Sequence, residues 1–377
     1  MIKIPGPKRI LITMLVAGMV LTGCVKKKEG EAETSAASAT DQKEEVNENI
    51  IDEGDDTPIE ITKYSKYTGP NHENFLRPGD KIAVISPSAL PTQEQTDATV
   101  KGLKAWGYVP VEGKYVCPEV RTLENCCEDL EWALTDPEIK GIFCVRGGFA
   151  SCEVMEAIDR DLIKKAKKPI IGFSDISACH SAWTVQGLPS IHASMSGAFT
   201  SLPEECVEVE KRMLQGEVPT YRFGRCEYDK PGTAEGILIG GNLTVTKTVL
   251  NTGFDCTKID QPYIILLEDV ESNFLNVHLS FTMLKNNGVL DHAAGIILGE
   301  QTGFDLLSND YDGRSRGGRF TSATDMIYRQ FLKDLDIPVA CRFPAGHGEK
   351  NYPVLLGAKV RLTVGEKDST LEWLDTE

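Results

Sequence analysis

Short apolar runs alternate with amphipathic stretches along the first part of the chain. Five runs predict strands, at residues 81–87, 109–111, 141–146, 169–173 and near Ile191. The stretches between them predict helices at residues 92–106, 121–135, 151–166 and 175–186. Because this alternation is typical of parallel strands joined by crossover helices, it predicts a doubly wound, mostly parallel sheet in an N-terminal α/β domain over residues 71–200.

Glycine, proline and scattered charge interrupt this rhythm over residues 201–232, which predicts an interdomain linker. A second block follows over residues 233–377. It opens with the glycine-rich stretch at residues 236–243. Its predicted strands are residues 262–267 and 295–299, its helices are residues 273–286 and 324–335, and its hairpin pairs residues 359–364 with 369–374. The pattern indicates a second, C-terminal α/β domain.

The N-terminus has the pattern of an export signal. Lys3, Lys8 and Arg9 precede an apolar stretch at residues 10–20, which is too short to span a bilayer with margin. It ends in Leu-Thr-Gly-Cys, a bacterial lipobox, so residues 1–24 are predicted to be a lipoprotein signal peptide with lipid on Cys24. The alternative is an ordinary secretory signal with a chance cysteine. The lipobox predicts an extracytoplasmic protein that is lipid-anchored to a bacterial membrane.

Charge and composition limit the classes of molecule that the protein is expected to bind. Residues 25–70 are rich in Ala, Ser, Glu and Asp, which predicts a disordered acidic tether between lipid and domain. The formal net charge of the whole chain is −16, and this argues against nucleic acid as a partner.

The chain has 11 cysteines, a high number for an exported protein. Once Cys24 is assigned to lipid, the others have irregular spacings, and the adjacent pair Cys126 and Cys127 lacks the spacing of a zinc ribbon. Most are therefore expected to be free, buried and structural. The sequence has no HExxH motif, so it predicts no metal site, and it indicates no cofactor.

Ligands of open α/β sheets bind beyond the carboxyl ends of the strands, so polar residues there are the candidates for chemistry. Residues 169–178 read PIIGFSDISA, with Ser174 between a strand and a helix. This is the position of a nucleophile at a strand-to-helix elbow. It is also the position of an ordinary helix N-cap, and the local pattern alone favours the cap.

A second strand ends in Arg146-Gly147-Gly148. A backbone N–H of this turn could complete an oxyanion hole with that of Asp175, and Arg146 could hold a substrate carboxylate. The alternative is a plain glycine turn with a solvated arginine.

The remaining candidates are an acid and a base. Glu268 and Asp269 end the strand at residues 262–267, and a carboxylate there could orient a histidine, although an acidic strand end is common. His347 lies between two glycines in a late loop, whereas His180 and His192 could be satisfied structurally.

In chain order, five motifs together resemble the LD-carboxypeptidase and microcin C immunity-type serine peptidases. They are Arg-Gly-Gly, Gly-Phe-Ser-Asp, Ile-Gly-Gly-Asn-Leu at 239–243, Leu-Glu-Asp at 267–269, and Gly-His-Gly. The resemblance spans about residues 74–374, and it implies a smaller C-terminal α/β domain with the active site in the cleft between the two domains. It implies a triad in which Ser174 is the nucleophile, His347 the general base and Glu268 the orienting acid. It also implies an oxyanion hole from the N–H groups of Gly148 and Asp175, with Arg146 and Gly147 at the substrate, and a homodimer.

Departures from the family pattern concern the substrate more than the catalysis. Phe149 and Ala150 stand where the family commonly has Tyr-Gly, and Ala193 follows His192 where glycine is often found. The expected function is a membrane-tethered carboxypeptidase that releases a C-terminal D-amino acid from cell-wall muropeptides. The alternatives are a peptidyl-nucleotide hydrolase of the microcin C immunity type and a non-catalytic lipoprotein that binds wall peptides.

Overall fold

The computed structural model describes residues 58–304 and 320–377. The predicted signal peptide, the lipid site at Cys24 and most of the predicted tether lie outside the described residues. Within the described part of the chain, no helix is both long enough and apolar enough to cross a membrane.

The described residues form fourteen strands and ten α-helices, together with short 3-10 and π turns. The strands are β1 (Ile59–Lys66), β2 (Lys81–Ile85), β3 (Val109–Glu112), β4 (Ile139–Cys144), β5 (Ile170–Gly172), β6 (Ser190–His192), β7 (Glu217–Gly224), β8 (Gly232–Asn242), β9 (Tyr263–Val270), β10 (Ala293–Thr302), β11 (Val339–Ala340), β12 (Val354–Leu356), β13 (Lys359–Val364) and β14 (Asp368–Trp373). The helices are α1 (Gln93–Ala105), α2 (Leu123–Thr135), α3 (Ser151–Ala157), α4 (Asp161–Ala166), α5 (Ser177–Val185), α6 (Glu204–Leu214), α7 (Leu243–Thr248), α8 (Phe274–Asn286), α9 (Val289–His292) and α10 (Ala323–Ile327).

The first sheet has the order β3-β2-β4-β5-β6-β12. Its first five strands are parallel, and β12 pairs antiparallel with β6. The chain runs outward from β2 in both directions, so the loops after β2 and β4 diverge at the carboxyl edge and leave a crevice there. The predicted doubly wound sheet is confirmed.

The second sheet has the order β1-β7-β14-β13-β8-β9-β10-β11. The strands β8, β9, β10 and β11 are parallel to one another. The strands β1, β7, β14 and β13 pair antiparallel with their neighbours in the sheet, and β13 also pairs antiparallel with β8. The strand β9 is buried along almost its whole length, as expected for a central parallel strand with both faces covered. The predicted two-part α/β architecture is confirmed.

Local signals account for most helix ends. Thr92 and Gln95 form a capping box at the start of α1, and α2 ends at Thr135 because Asp136 precedes a proline. The single helix predicted over residues 151–166 is instead two helices, since the chain leaves helical geometry at Ile158.

The domain boundaries predicted from composition are wrong in two places. The tether was expected to reach residue 70, but Ile59–Lys66 forms β1 and pairs with β7. Ile59 and Ile61 supply an alternating apolar face that an average over the acidic segment hides.

The predicted linker over residues 201–232 contains α6 and β7. Its prolines and glycines lie at the ends of these elements: Pro203 is the N-cap of α6, Gly216 separates helix from strand, and Gly224 ends β7. Each block also lends a strand to the other, because β12 completes the first sheet and β1 completes the second. The two parts are therefore interleaved.

Candidate active site

Ser174 lies at a strained turn between β5 and α5. It begins a short 3-10 turn and has φ of 63°, a left-handed conformation that non-glycine residues rarely adopt. The N-cap of α5 is Ile176, and no side chain caps that helix. The helix-cap alternative is therefore wrong, and the geometry is that of an elbow that presents the serine hydroxyl.

Gly147 packs directly against this elbow. A methyl group on Gly147 would lie 2.9 Å from Ser174 Cβ and 3.0 Å from Ser174 Oγ, so no larger residue fits. The same methyl would lie 3.5 Å from the backbone nitrogen of Asp175. The turn after β4 and the elbow after β5 thus meet at the serine, as the sequence predicts.

The side chain of Asp175 has a structural role that the sequence analysis missed. Its Oδ2 accepts hydrogen bonds from Ser88 Oγ at 2.6 Å and from the backbone N–H of Ser151 at 2.9 Å. The hydroxyl of Ser151 also donates to the backbone carbonyl of Asp175. One buried carboxylate therefore ties the elbow to the loop after β2 and to the start of α3. The sequence feature that could have indicated this role is a serine just after β2 and another at the start of α3.

The Arg146-Gly147-Gly148 turn continues toward solvent. Arg146 is exposed, and its Nη1 donates to the carbonyl of Leu90 at 2.8 Å. Gly148 has φ of 132° and lies against Ala89. Ala150 has φ of 96°, although it carries a Cβ.

The acid and the histidine form a direct pair. Glu268 in β9 is fully buried, and its Oε2 lies 2.7 Å from Nδ1 of His347. Burial by itself lowers the pKa of His347, but the charge and hydrogen bond of Glu268 outweigh it and leave the pKa raised above 6.5. The pair has the arrangement of a general base held in one tautomer by a carboxylate.

The loop that carries His347 is held by its flanking glycines. The N–H of Gly346 donates to Asn351 Oδ1 at 3.1 Å, and that of Gly348 donates to Glu300 Oε2 at 2.6 Å. A methyl on Gly346 would lie 2.8 Å from Glu268 Oε2, so glycine is required for the histidine loop to approach the acid. Glu300 is a site residue that the sequence analysis missed.

Phe173 links the serine to the histidine. Its ring centroid lies 4.7 Å from that of His347, and Ser174 is the next residue. Among the described residues, Ser174 Oγ makes no hydrogen bond to His347. Catalytic hydrogen bonds in ligand-free sites are often long and tighten around substrate.

A cleft of about 670 Å³ lies beside the His347 loop and the turn after β4. Its lining comes from both parts of the chain and includes Arg146, Phe173, Ser194, His347 and Asn351. The predicted position of the site, between the two parts, agrees with this cleft.

The Ile-Gly-Gly-Asn-Leu motif joins the two halves of the site. The backbone N–H of Asn242 donates to Ser177 Oγ at 2.9 Å, and its side chain donates to Asp269 Oδ1 at 3.1 Å. Thr244 Oγ1 donates to Asp269 Oδ2 at 2.9 Å. Asp269 therefore positions β8 and α7, whereas Glu268 beside it faces the histidine.

His180 and His192, which lie near the site, differ in their hydrogen bonding. His180 bonds Ser190 Oγ at 2.9 Å and the carbonyl of Gly172 at 2.8 Å, so it is satisfied structurally, as expected. For His192 that expectation is wrong, since neither ring nitrogen has a hydrogen-bond partner within the described part of the chain. Burial lowers the pKa of His192 to about 3, which keeps the ring neutral beside Phe173.

All cysteines in residues 58–304 and 320–377 are free thiols, most of them buried. One group of side chains in these ranges has the proximity of a metal site: Cys226, Asp229 and Cys341. It lies outside the cleft lining, and its chemistry is considered below.

Two family models match the chain in order. Residues 82–193 match the N-terminal domain of LD-carboxypeptidases, and residues 235–362 match their C-terminal domain. The chain belongs to the LD-carboxypeptidase family. The resemblance seen in the sequence motifs is thus confirmed.

Relatives within the family differ in activity. A murein tetrapeptide carboxypeptidase of Pseudomonas aeruginosa is 27% identical over 301 residues, which cover 75% of this chain and 93% of the relative. The microcin C7 self-immunity protein of Escherichia coli is 24% identical over 344 residues, which cover 80% of this chain and 96% of the relative.

The fold is shared with solved members. The crystal structure of muramoyltetrapeptide carboxypeptidase from Oxalobacter formigenes superposes with a TM-score of 0.67 at 22% identity. The match covers 77% of this chain and 97% of that one.

Proposed function

We propose that this member of the LD-carboxypeptidase family is a serine-type LD-carboxypeptidase that releases a C-terminal D-amino acid from muropeptides. The observation that carries the proposal is the buried pair of Glu268 and His347, 2.7 Å apart, beside an elbow serine with φ of 63°. A murein tetrapeptide carboxypeptidase among the relatives supports the substrate class.

In the proposed reaction, His347 takes the proton of Ser174 as its hydroxyl attacks the peptide carbonyl. Glu268 holds the N–H tautomer at Nδ1 and stabilises the imidazolium that forms. The backbone N–H groups of Gly148 and Asp175 stabilise the oxyanion. His347 then protonates the leaving D-amino acid, and water hydrolyses the acyl-enzyme.

Arg146 is proposed to bind the terminal carboxylate of the peptide. It lines the cleft with His347, it is exposed, and a guanidinium is suited to a bidentate pair with a carboxylate. The existing bond to Leu90 orients the guanidinium at the cleft without burying it.

Attachment to a membrane through lipid on Cys24, outside the cytoplasm, is proposed from the lipobox alone. A homodimer is proposed from the family resemblance alone. Labelling with a radioactive fatty acid tests the first, since Cys24→Ala should abolish incorporation, and sedimentation of the purified chain tests the second.

The activity is tested with defined muramoyl tri-, tetra- and pentapeptides followed by mass spectrometry. We expect release of D-Ala from the tetrapeptide by the wild type and none above background by Ser174→Ala. Thr135→Ala, which loses an exposed hydroxyl at the end of α2, is the control and should retain activity. Undiminished release by Ser174→Ala would contradict the proposal.

A second candidate is hydrolysis of a peptidyl nucleotide. The relationship to the microcin C7 self-immunity protein favours it, as does Phe149, which is 76% exposed and follows Gly148. An exposed ring beside the oxyanion hole could stack on a base. Assay of an aspartyl adenylate analogue alongside the tetrapeptide distinguishes the two, because the preferred substrate has the larger kcat/KM.

A further inference from the structure

Two cysteines from distant parts of the chain meet behind the active site. Cys226 lies between β7 and β8, and Cys341 directly follows β11. Their Sγ atoms and a carboxylate oxygen of Asp229 all lie within 4.8 Å of one another. All three residues are buried, and both thiols are free.

Asp229 fixes the backbone of both cysteines. Its Oδ2 accepts from the N–H of Cys226 at 3.0 Å, and its Oδ1 accepts from the N–H of Cys341 at 2.8 Å. One side chain therefore holds the two segments in register, and the thiols are placed side by side by the fold.

The surroundings of this cluster are unsuited to a metal cation. Both carboxylate oxygens of Asp229 are engaged by backbone N–H groups, which leaves two thiols where a structural zinc needs four ligands. Arg225 Nε also lies 3.5 Å from Asp229 Oδ2, and the charge of Arg342 acts on Cys226. Two guanidinium groups repel a cation and favour a thiolate.

We propose that Cys226 and Cys341 form a disulfide bond when the protein is exposed to a disulfide oxidant. The bond would join the segment after β7 to the segment that leads into the loop of His347.

The difference between the two thiols indicates which one reacts first with the oxidant. The hydrogen bond from Cys341 lowers the pKa of Cys226 against the effect of burial, and Arg342 adds to this. The Cys226 thiolate attacks one sulfur of the oxidant, a mixed disulfide forms, and one oxidant thiolate leaves and takes up a proton. Cys341 then loses its proton and attacks Cys226 Sγ, and the second oxidant thiol leaves. Two protons and two electrons pass to the oxidant.

The bond would reinforce a contact that already exists. Lys230 and Val339 exchange backbone hydrogen bonds of 2.9 and 3.1 Å next to the cysteines. A covalent link here would close a loop of roughly 100 residues, and long loops are those in which a cross-link most restricts the unfolded chain.

The first test is mass-spectrometric mapping. The full chain is incubated with oxidised glutathione, denatured, alkylated and digested without reductant. We expect one cross-linked product that contains Cys226 and Cys341 and is lighter than the two thiol peptides by two hydrogens. The buried Cys206 should be recovered alkylated. Full alkylation of both cysteines, or stoichiometric zinc in the purified chain, would overturn the proposal.

The second test is thermal unfolding of the oxidised chain with and without dithiothreitol. Reduction should lower the midpoint for the wild type by about 5 °C or more. Cys226→Ala and Cys341→Ala should show no response to the reductant, whereas Cys206→Ala should respond like the wild type. A wild-type midpoint that is insensitive to reductant would contradict the proposal, as would a response that survives in either variant. Neither result depends on peptidase activity.

Discussion

At the scale of single residues, two of the strained backbone positions lie at the elbow and just after the Gly147-Gly148 turn. Ser174 and Ala150 both have positive φ, although both carry a Cβ. For Ser174 the strain accompanies presentation of a hydroxyl at the elbow, as the proposed role of nucleophile requires. For Ala150 the neighbouring residues supply no comparable role, and glycine would adopt the same conformation without cost.

Ala150→Gly is therefore expected to stabilise the protein. Relief of the left-handed conformation is worth about 1–2 kcal/mol, and the added freedom of glycine in the unfolded chain cancels about 0.4–1 kcal/mol of it. A net gain of about 0.5–1 kcal/mol should be measurable by urea unfolding. Ala157→Gly within α3 is the control and should lose up to about 1 kcal/mol. Equal losses in the two variants would mean that Ala150 is not strained.

The pH profile tests the role of Glu268. His347, the proposed base, must be neutral to accept a proton, and its pKa is raised above 6.5. On acidification, kcat/KM of the wild type should therefore begin to fall at a pH above 6.5. In Glu268→Gln the acid limb should move down by about 1 pH unit or more, because the amide no longer favours the imidazolium. The rate at the optimum should fall by about 10²–10⁴.

Glu153→Gln, on the exposed side of α3, is the control for that experiment and should reproduce the wild-type profile. An acid limb that stays in place in Glu268→Gln would show that the carboxylate does not set the protonation of His347.

At the scale of elements, α6 has an acid within its apolar stripe. Cys206, Val209, Glu210 and Met213 all face the core, and Glu210 is fully buried. Burial raises the pKa of Glu210 well above 4.5, against a smaller effect of the backbone of Ser194, which lines the cleft. Burial therefore favours the protonated form of Glu210 in the folded protein.

Because the pKa of Glu210 is raised in the folded protein, the free energy of unfolding depends on pH in a defined direction. The contribution of Glu210 is complete below pH 4.5 and is lost as the pH rises toward the folded pKa, because the unfolded chain then releases its proton first. Relative to the wild type, Glu210→Gln should gain stability with rising pH, by at most about 1.4 kcal/mol per pH unit. Urea unfolding at several pH values between 5 and 9 measures this difference.

Glu204→Gln, exposed in the first turn of the same helix, should show a constant difference from the wild type. A constant difference for Glu210→Gln as well would contradict the protonated, buried state.

At the scale of the whole molecule, the two sheets share one hydrophobic core. A single cluster contains Leu103 and Phe143 from the first part, Val218 from β7, and Leu362 and Trp373 from the C-terminal hairpin. Because β1 and β12 also cross between the parts, each part needs the other to bury this shared cluster.

We therefore expect one cooperative unfolding transition. Urea curves followed by far-ultraviolet circular dichroism and by tryptophan fluorescence should coincide, although Trp183 and Trp373 report on different sheets. Residues 71–232 and 233–377, expressed separately, should each fail to give a cooperative transition. Two resolved transitions in the full chain, or independent folding of either piece, would contradict this.

How far the sequence predicted the site depends on where each signal lies. Ser174 and His347 stand in short motifs bordered by glycine, and glycine marks a turn from the sequence alone. Ser88, Ser151 and Glu300 were missed because no local pattern in the sequence indicates the contacts they make. Their roles come from partners that are distant in the chain, such as Asp175.

The same distinction holds for elements. Strands β2, β4, β5 and β6 were predicted because burial on both faces makes them nearly continuous apolar runs. The edge strand β1 and the helix α6 were missed, since acidic residues dilute an amphipathic pattern that only its packing partner completes.

The sequence by itself determined the class of fold, the order of its elements, and the serine, acid and histidine that the family motifs mark. These follow from local periodicity and from turns that need glycine, which each segment carries within itself. Only the tertiary structure decided that Asp269 holds β8 and α7, that β12 joins the first sheet, and that Cys226 meets Cys341. Each of these depends on which distant segments pack together, and that choice belongs to the whole chain.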